Sequence, residues 1–317
     1  MNPLPFKAYI YDGREYFEYD DEGREKADLP FPENLLSLLY LDIWQYERLT
    51  KQMNRALLRL YETRDEKYAA DIHTSLDELA NAHICFQFLR LDWNRRLDEA
   101  AQRHYEDVID LLPHKALSHI PSNIDTMQKQ IRMIFTQVLD LDGERLPVQE
   151  KLARYYRVRG SDALEAFRFT PLTIGFEPVD GGFAEVLYPN SMYDIIGFEL
   201  RACILREEKL RVCKNCGKYF AISGRSSIEY CDRIVDDKGR SCRDVGAAAL
   251  WTKKRSGDEV FKDYRREYKR RFAWIKAGRI TADAFYVWSE EARKKKADYE
   301  NGLLPAKDFL DWLRYLP

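Results

Sequence analysis

Four cysteines within thirty residues constrain this chain more than any other feature. Their spacing is Cys213-x2-Cys216-x14-Cys231-x10-Cys242. The stretch CKNCGKYF, residues 213–220, puts two thiols two residues apart with a glycine directly after the second. That spacing predicts a tight knuckle whose backbone N–H groups face the sulfurs. The second pair can then complete a tetrahedron around one Zn2+, with sulfurs about 2.3 Å from the metal. A thioredoxin-type redox pair would need a strand-helix-strand context and no second pair, and the sequence offers neither. Six cysteines in 317 residues are too few for a disulfide-built scaffold. Four thiolates leave no open coordination position, so the expected metal is structural. It would organise a loop-rich segment that has little core of its own, coupling metal binding to local folding. Asp232, beside Cys231, is a further polar neighbour. Cys85 and Cys203 lie in apolar helical contexts, AHICFQFL and ELRACILRE, and read as small buried residues.

The net charge of −2 hides an asymmetry. Residues 1–204 hold 24 Lys+Arg against 35 Asp+Glu, while residues 205–271 hold 19 against 11. The cysteine cluster and the stretch after it are thus basic, on an otherwise acidic chain. This distribution suits a module that faces a polyanion, or two halves that attract each other. Hydrophobic residues at 45% and aromatics at 13% suffice for a packed core. No apolar run is long enough to cross a bilayer. The start, MNPLPFKAYIYDGREYF, lacks a charged segment followed by an apolar one, so a cytoplasmic location is expected.

The pattern predicts a mainly α, α+β chain: a helical N-terminal domain, a small antiparallel β element, a four-cysteine zinc module and C-terminal helices. The expected divisions are 1–160, 161–255 and 256–317. Residues 6–19 read as a hairpin about Asp12-Gly13. Asn34 is placed to cap a helix from Leu35, and helical spacing continues to residue 64. A second helical stretch runs from Thr74 to Leu112, broken once or twice and ended by Pro113. Further helices are expected at 122–140, capped by Ser122 or Asn123, and at 147–158. The acidic run 18–28 reads as a solvated loop. Alternation from 165 predicts strands 166–177 and 183–188, then a helix capped by Ser191 with Asp194 in its first turn. Residues RDVGAAALWTKKR and DEVFKDYRREYKRRFAWIKAG are helical by composition. In the tail, Gly278, Phe285 and Trp288 recur 24 residues on as Gly302, Phe309 and Trp312. Each unit reads as a glycine turn and a helix start, with an aromatic pair at i, i+3 on one face.

The run CKNCGKYF…EYC…GRSCRDVG resembles a treble-clef zinc site. From about residue 165 onward the chain resembles the C-terminal portion of CGNR-type zinc-finger proteins. Residues 205–290 also resemble an uncharacterised bacterial family, common in Firmicutes and often met on mobile elements. The resemblance implies a zinc-binding fold and DNA association. Two departures stand out. The CGNR type spaces its second pair three apart, whereas ten residues separate Cys231 from Cys242 here. The CGNR tetrapeptide becomes Cys242-Arg243-Asp244-Val245-Gly246. The tail repeat resembles short helical hairpins of the SHOCT type, which serve interaction or oligomerisation.

These features point to a nucleic-acid-associated protein, with DNA favoured over RNA. The candidate phosphate contacts are Arg243, Lys253, Lys254 and Arg255, with Lys262, Arg265, Arg266, Lys269, Arg270 and Arg271 behind them. Tyr264, Tyr268 and Trp251 interleave with these charges. A solvated amphipathic helix with a basic face is the plainer reading. A protein-interaction scaffold, self-associating through the C-terminal helices, is the alternative function. No membrane partner is expected. No catalytic constellation is found: GxxxxGK[ST], GxGxxG, HExxH and GxSxG are all missing. The five histidines, His73, His83, His104, His114 and His119, form no pair with ligand spacing. No enzymatic role is therefore expected.

Overall fold

The Asp12-Gly13 turn sets the first strands. Both residues take left-handed φ values, 48° and 72°, as a two-residue hairpin turn with the right twist requires. The turn joins β1 (Phe6–Tyr11) to β2 (Arg14–Asp20) with Tyr11 opposite Arg14. The acidic stretch expected as a loop instead supplies β3 (Arg24–Pro30), antiparallel to β2. Cross-strand charge explains it: Glu18 faces Lys26, whose Nζ lies 3.5 Å from Glu18 Oε1. This computed structural model describes residues 4–20, 24–106, 108–162, 164–222, 224–246 and 259–315. The chain forms two compact units, residues 1–212 with 218–228, and residues 213–217 with 229–317. The described residues are mainly helical, with small antiparallel sheets.

In the first unit the helical run after Pro32 breaks into α1 (Glu33–Leu39), a 3₁₀ turn at Ile43–Tyr46 and α2 (Glu47–Thr63). Asp42 causes the break, accepting a hydrogen bond from Trp44 N at 3.2 Å. Helices α3 (Glu66–Ala80) and α4 (Ile84–Gln102) follow. Helix α3 starts eight residues before the expected Thr74, because Asp65 caps it by accepting from Lys67 N at 3.0 Å. Short helices α5 (Val108–Leu111) and α6 (His114–Ser118) flank Pro113. Helix α7 (Ile120–Ile134) also starts early, with Pro121 in its first turn and no side-chain cap from Ser122 or Asn123. It continues as a π turn, Phe135–Leu139, before α8 (Val148–Arg159).

Strands β4 (Ile174–Val179) and β5 (Gly182–Leu187) join the first sheet in the order β3-β2-β1-β5-β4. Residues 166–173, expected in a strand, lie outside the strands, and only Thr173 touches the ladder, its O accepting from Tyr188 N at 2.9 Å. Phe167 is instead fully buried, stacked on Tyr193 with centroids 4.2 Å apart. Helix α9 (Met192–Leu205) carries the expected Ser191 cap, and Asp194 Oδ2 accepts from Asn190 N at 2.8 Å. It leads to β6 (Leu210–Val212), which pairs with β7 (Tyr219–Ala221). One apolar core runs through this unit, with Phe6, Phe17, Leu35, Trp93, Phe135 and Phe167 buried to 2% exposure or less.

That core encloses a polar cluster. Asn34 does not cap α1; its whole side chain is buried. Its Nδ2 donates to both Glu199 oxygens, at 2.8 and 3.0 Å, and its backbone N–H donates to Glu15 Oε1 at 2.5 Å. Burial pushes the Glu199 carboxyl up to about 8. Burial, then the charge of Glu199, holds Glu15 well above the usual carboxylate range. His83 closes the cluster, its Nε2 3.0 Å from Ser37 Oγ, and burial brings it down to about 4. Cys85 and Cys203 are fully buried, as expected.

In the second unit the cysteine segment precedes α10 (Glu259–Lys276), α11 (Ala282–Glu300) and α12 (Ala306–Arg314). The 24-residue repeat holds in its turns. Gly278 and Gly302 take φ of 65° and 74°. After α10, Arg279 N bonds Trp274 O and Gly278 N bonds Ile275 O; after α11, Leu303 N bonds Asp298 O and Gly302 N bonds Tyr299 O. Both are Schellman closures. Phe285 and Phe309 are buried, and Trp288 stacks on Trp312 at 6.2 Å. The aromatic pairs of the two repeats therefore pack on each other.

Candidate metal centre

Gly217 N donates to Cys213 O at 2.9 Å, and Gly217 closes the turn with φ of 71° in open space. The ten-residue spacer between Cys231 and Cys242 is a hairpin. Ile234 pairs antiparallel with Ser241, and Val235 N donates to Arg240 O at 2.9 Å. Its turn is held by Asp236, whose Oδ1 accepts from Lys238 N and Arg240 N, and by Gly239 with φ of 71°. Two further backbone bonds, Cys242 N to Arg233 O and Arg243 N to Cys231 O, return the fourth thiol to the third. The longer spacer is therefore folded out of the way, and the sulfurs meet regardless of it.

Residues 242–246 are helical, so Cys242 stands in a first turn. Ser241 and Asp244 form a reciprocal cap: Asp244 N donates to Ser241 Oγ at 3.3 Å and Ser241 N to Asp244 Oδ2 at 2.8 Å. Tyr230 lies over Gly246, where an added Cβ would meet its Cδ1 at 2.2 Å. The EYC and CRDVG segments are thus packed together by a ring that only glycine admits.

The four Sγ atoms lie within 4.8 Å of one another, and Cys216 Sγ is 3.7 Å from Cys231 Sγ. A tetrahedron with bonds of about 2.3 Å has edges of about 3.8 Å, so the donor set fits one soft metal ion. Cys213, Cys231 and Cys242 are buried and Cys216 half-buried. Burial alone would raise the Cys213 thiol, but backbone N–H groups of Cys216, Cys231 and Asn215 outweigh it and bring the group to about 7. Burial and the neighbouring thiols push Cys231 up to about 12. Asn215 Nδ2 donates to Cys242 Sγ at 3.3 Å, and Arg233 reaches Cys231 Sγ at 3.8 Å. Sequence reasoning gives no sign of these two donors, because neither residue type carries a metal-site signal by itself. Asp232 is no fifth ligand; it pairs with Arg243 at 2.9 Å.

The candidate phosphate contacts fall into distinct settings. Lys253, Lys254 and Arg255 lie outside the described residues, as does most of the helix expected there. Arg243 is engaged by Asp232. On α10, Lys262 pairs with Glu259, Arg266 with Asp263 and Arg270 with Glu267. Arg271 is buried, donating to Tyr315 O at 2.7 Å with its guanidinium 4.6 Å from the Trp288 ring centre. Arg265 and Lys269 remain exposed.

Residues 178–308 match a family described as a family of unknown function (DUF6076). The matched span holds all four clustered cysteines and both long helices of the second unit, and it contains the 205–290 stretch that resembles an uncharacterised family. No curated protein and no solved structure matches the chain. No described helix is long and apolar enough to cross a membrane.

Proposed function

We propose that Cys213, Cys216, Cys231 and Cys242 hold one structural Zn2+ in a treble-clef-like module of a nucleic-acid-associated, non-catalytic protein. The observation that carries the metal reading is the convergence of four sulfurs within 4.8 Å from a knuckle, a hairpin and a helix start. Four thiolates saturate the ion, so it supplies folding energy and no open position for a reacting water. A redox-silent Zn2+ suits a closed four-thiolate site, and iron on the same ligands would be told apart by its visible absorption. Elemental analysis of the purified chain should give one zinc per chain, and none for Cys216→Ser/Cys242→Ser. One iron with visible absorption would replace zinc in this reading; no metal at all would end it.

The nucleic-acid reading is supported by the basic excess of residues 205–271, which hold 19 Lys+Arg against 11 Asp+Glu. Its test is fluorescence anisotropy of labelled oligonucleotides at low and near-physiological salt. Binding that falls steeply with salt is expected.

A second reading, an interaction scaffold, draws on the β4–β5 hairpin. Phe176 and Phe183 stack with centroids 5.5 Å apart while remaining 72% and 60% exposed. Sedimentation giving a monomer at micromolar concentration would count against self-association.

A further inference from the structure

The cations of α10 and α11 differ in what faces them. Along α10, three of them face a carboxylate one turn away, Lys262 with Glu259, Arg266 with Asp263 and Arg270 with Glu267. Among the described residues, Arg265 and Lys269 have no carboxylate within ion-pair distance, and neither has Arg293 on α11. Arg293 is held instead by Ser289, through Nε to its carbonyl at 3.2 Å and Nη2 to its Oγ at 3.3 Å.

Lys276, Lys294 and Lys295 also have no ion-pair carboxylate among the described residues, but Arg265, Lys269 and Arg293 line one place. An open groove of about 750 Å³ lies between α10 and α11, and Arg265, Lys269, Arg293 and Lys296 form its walls with Tyr264 and Tyr268. Helical geometry puts each basic pair on one face, Arg265 with Lys269 at i, i+4 and Arg293 with Lys296 at i, i+3. Arg265 and Lys269 stand about 6 Å apart along the helix axis, four residues of helical rise. Glu300 is the one acid in the wall, and Lys296 already engages it at 2.8 Å. The tyrosines are half-buried between the charges, Tyr264 against Phe309 with Lys296 5.9 Å from its ring centre, and Tyr268 against Phe285 and Trp288.

We propose that this groove binds the backbone of a single-stranded nucleic acid, with phosphates on Arg265, Lys269 and Arg293 and a base against the tyrosines. The proposal rests on the nucleic-acid reading above and names its site and strand form. Charge complementarity selects a polyanion: uncompensated cations on both walls exceed what one phosphate can engage. The concave shape selects a flexible strand. A duplex keeps its bases stacked inside and offers phosphates on a stiff convex surface, which meets helix crests better than a groove between two helices. Positive grooves interleaved with aromatic rings are what unpaired strands use.

The test is anisotropy on the full-length, metal-loaded protein with a labelled oligothymidylate and with a duplex of equal length. The variants are Lys269→Ala/Arg293→Ala and, as a charge-matched control in the same unit, Arg279→Ala/Lys307→Ala. All four side chains are exposed, and circular dichroism checks that both variants fold. The groove variant should lose at least tenfold in affinity for the single strand, and the control less than threefold. The wild type should prefer the single strand, with a salt slope of about −2 for three phosphates. Equal losses in both variants, or none in the groove variant, would overturn the groove and leave nucleic-acid binding standing. Preference for the duplex would overturn the strand form. Competition by polyglutamate as effective as by oligonucleotide would assign the groove to an acidic peptide. No binding by the wild type at low salt would end both this proposal and the reading beneath it.

Discussion

The two units of this chain reach order by opposite means. The first buries a continuous apolar core across sheet and helices, from Phe6 to Leu210. The second has a small cluster centred on Val260, Phe309 and Leu313, and its cysteine segment has almost no apolar interior. There the buried residues are Cys213, Cys231 and Cys242 with Ser241 and Gly246. On the proposed reading, metal coordination gives this segment what burial gives the first unit, because too few side chains meet to offset the entropy of ordering its loops.

The largest expected effect separates the units directly. Metal removal by a strong chelator should abolish amide protection in residues 229–246, since structural zinc contributes on the order of 10 kcal/mol to such modules. Protection in β1, β5 and α9 should persist. Hydrogen exchange read by mass spectrometry reports both at once, and uniform loss across the chain would contradict two independently ordered regions.

The second way to sharpen the contrast is pH. Lowering pH protonates thiolates and should release metal from the second unit. Above about pH 6.5 the first unit should respond in the other direction, while below it His83, brought from 6.5 down to about 4 by burial, opposes the change. Glu199 has its folded-state value raised from 4.5 to about 8, so its stabilisation is complete below about 4.5 and is lost as pH rises through 8. The fall amounts to roughly 5 kcal/mol. Glu199→Gln keeps an acceptor for Asn34 but cannot ionise, and denaturant melts across this window should show a flattened dependence. An unchanged profile would mean that Glu199 carries no such proton.

The smallest effect concerns a single contact in the second unit. Gly246→Ala places a Cβ 2.2 Å from the Tyr230 ring, which must move or lift the helix start away from the knuckle. A cost of about 1–3 kcal/mol is expected. It should appear as weaker metal retention against a chelating dye, with the melting of the first unit unchanged. Equal retention would show that the ring swings aside freely.

How much of this is legible in sequence depends on range. The Asp12-Gly13 hairpin, the Ser191 cap and the repeated glycine closures follow from residues within a few positions of one another. The stretch 166–173 is not legible, because alternation cannot distinguish a strand from an extended segment wedged against a helix, as Phe167 is against Tyr193. The acidic run 18–28 looks like a loop because composition does not reveal that its two ends pair as antiparallel strands, with Lys26 opposite Glu18.

By itself the sequence determined the four-sulfur set, the mainly helical class and the paired C-terminal turns. Ligand spacing, capping and left-handed glycines act over short stretches of chain and leave marks in the residue order. The tertiary structure alone decided that Asn34 joins two buried carboxyls, one 165 positions away. It alone decided that Lys262, Arg266 and Arg270 have carboxylate partners while Arg265, Lys269 and Arg293 line a groove. Burial and charge compensation depend on what lies across space, and a residue's letter carries no record of its distant neighbours.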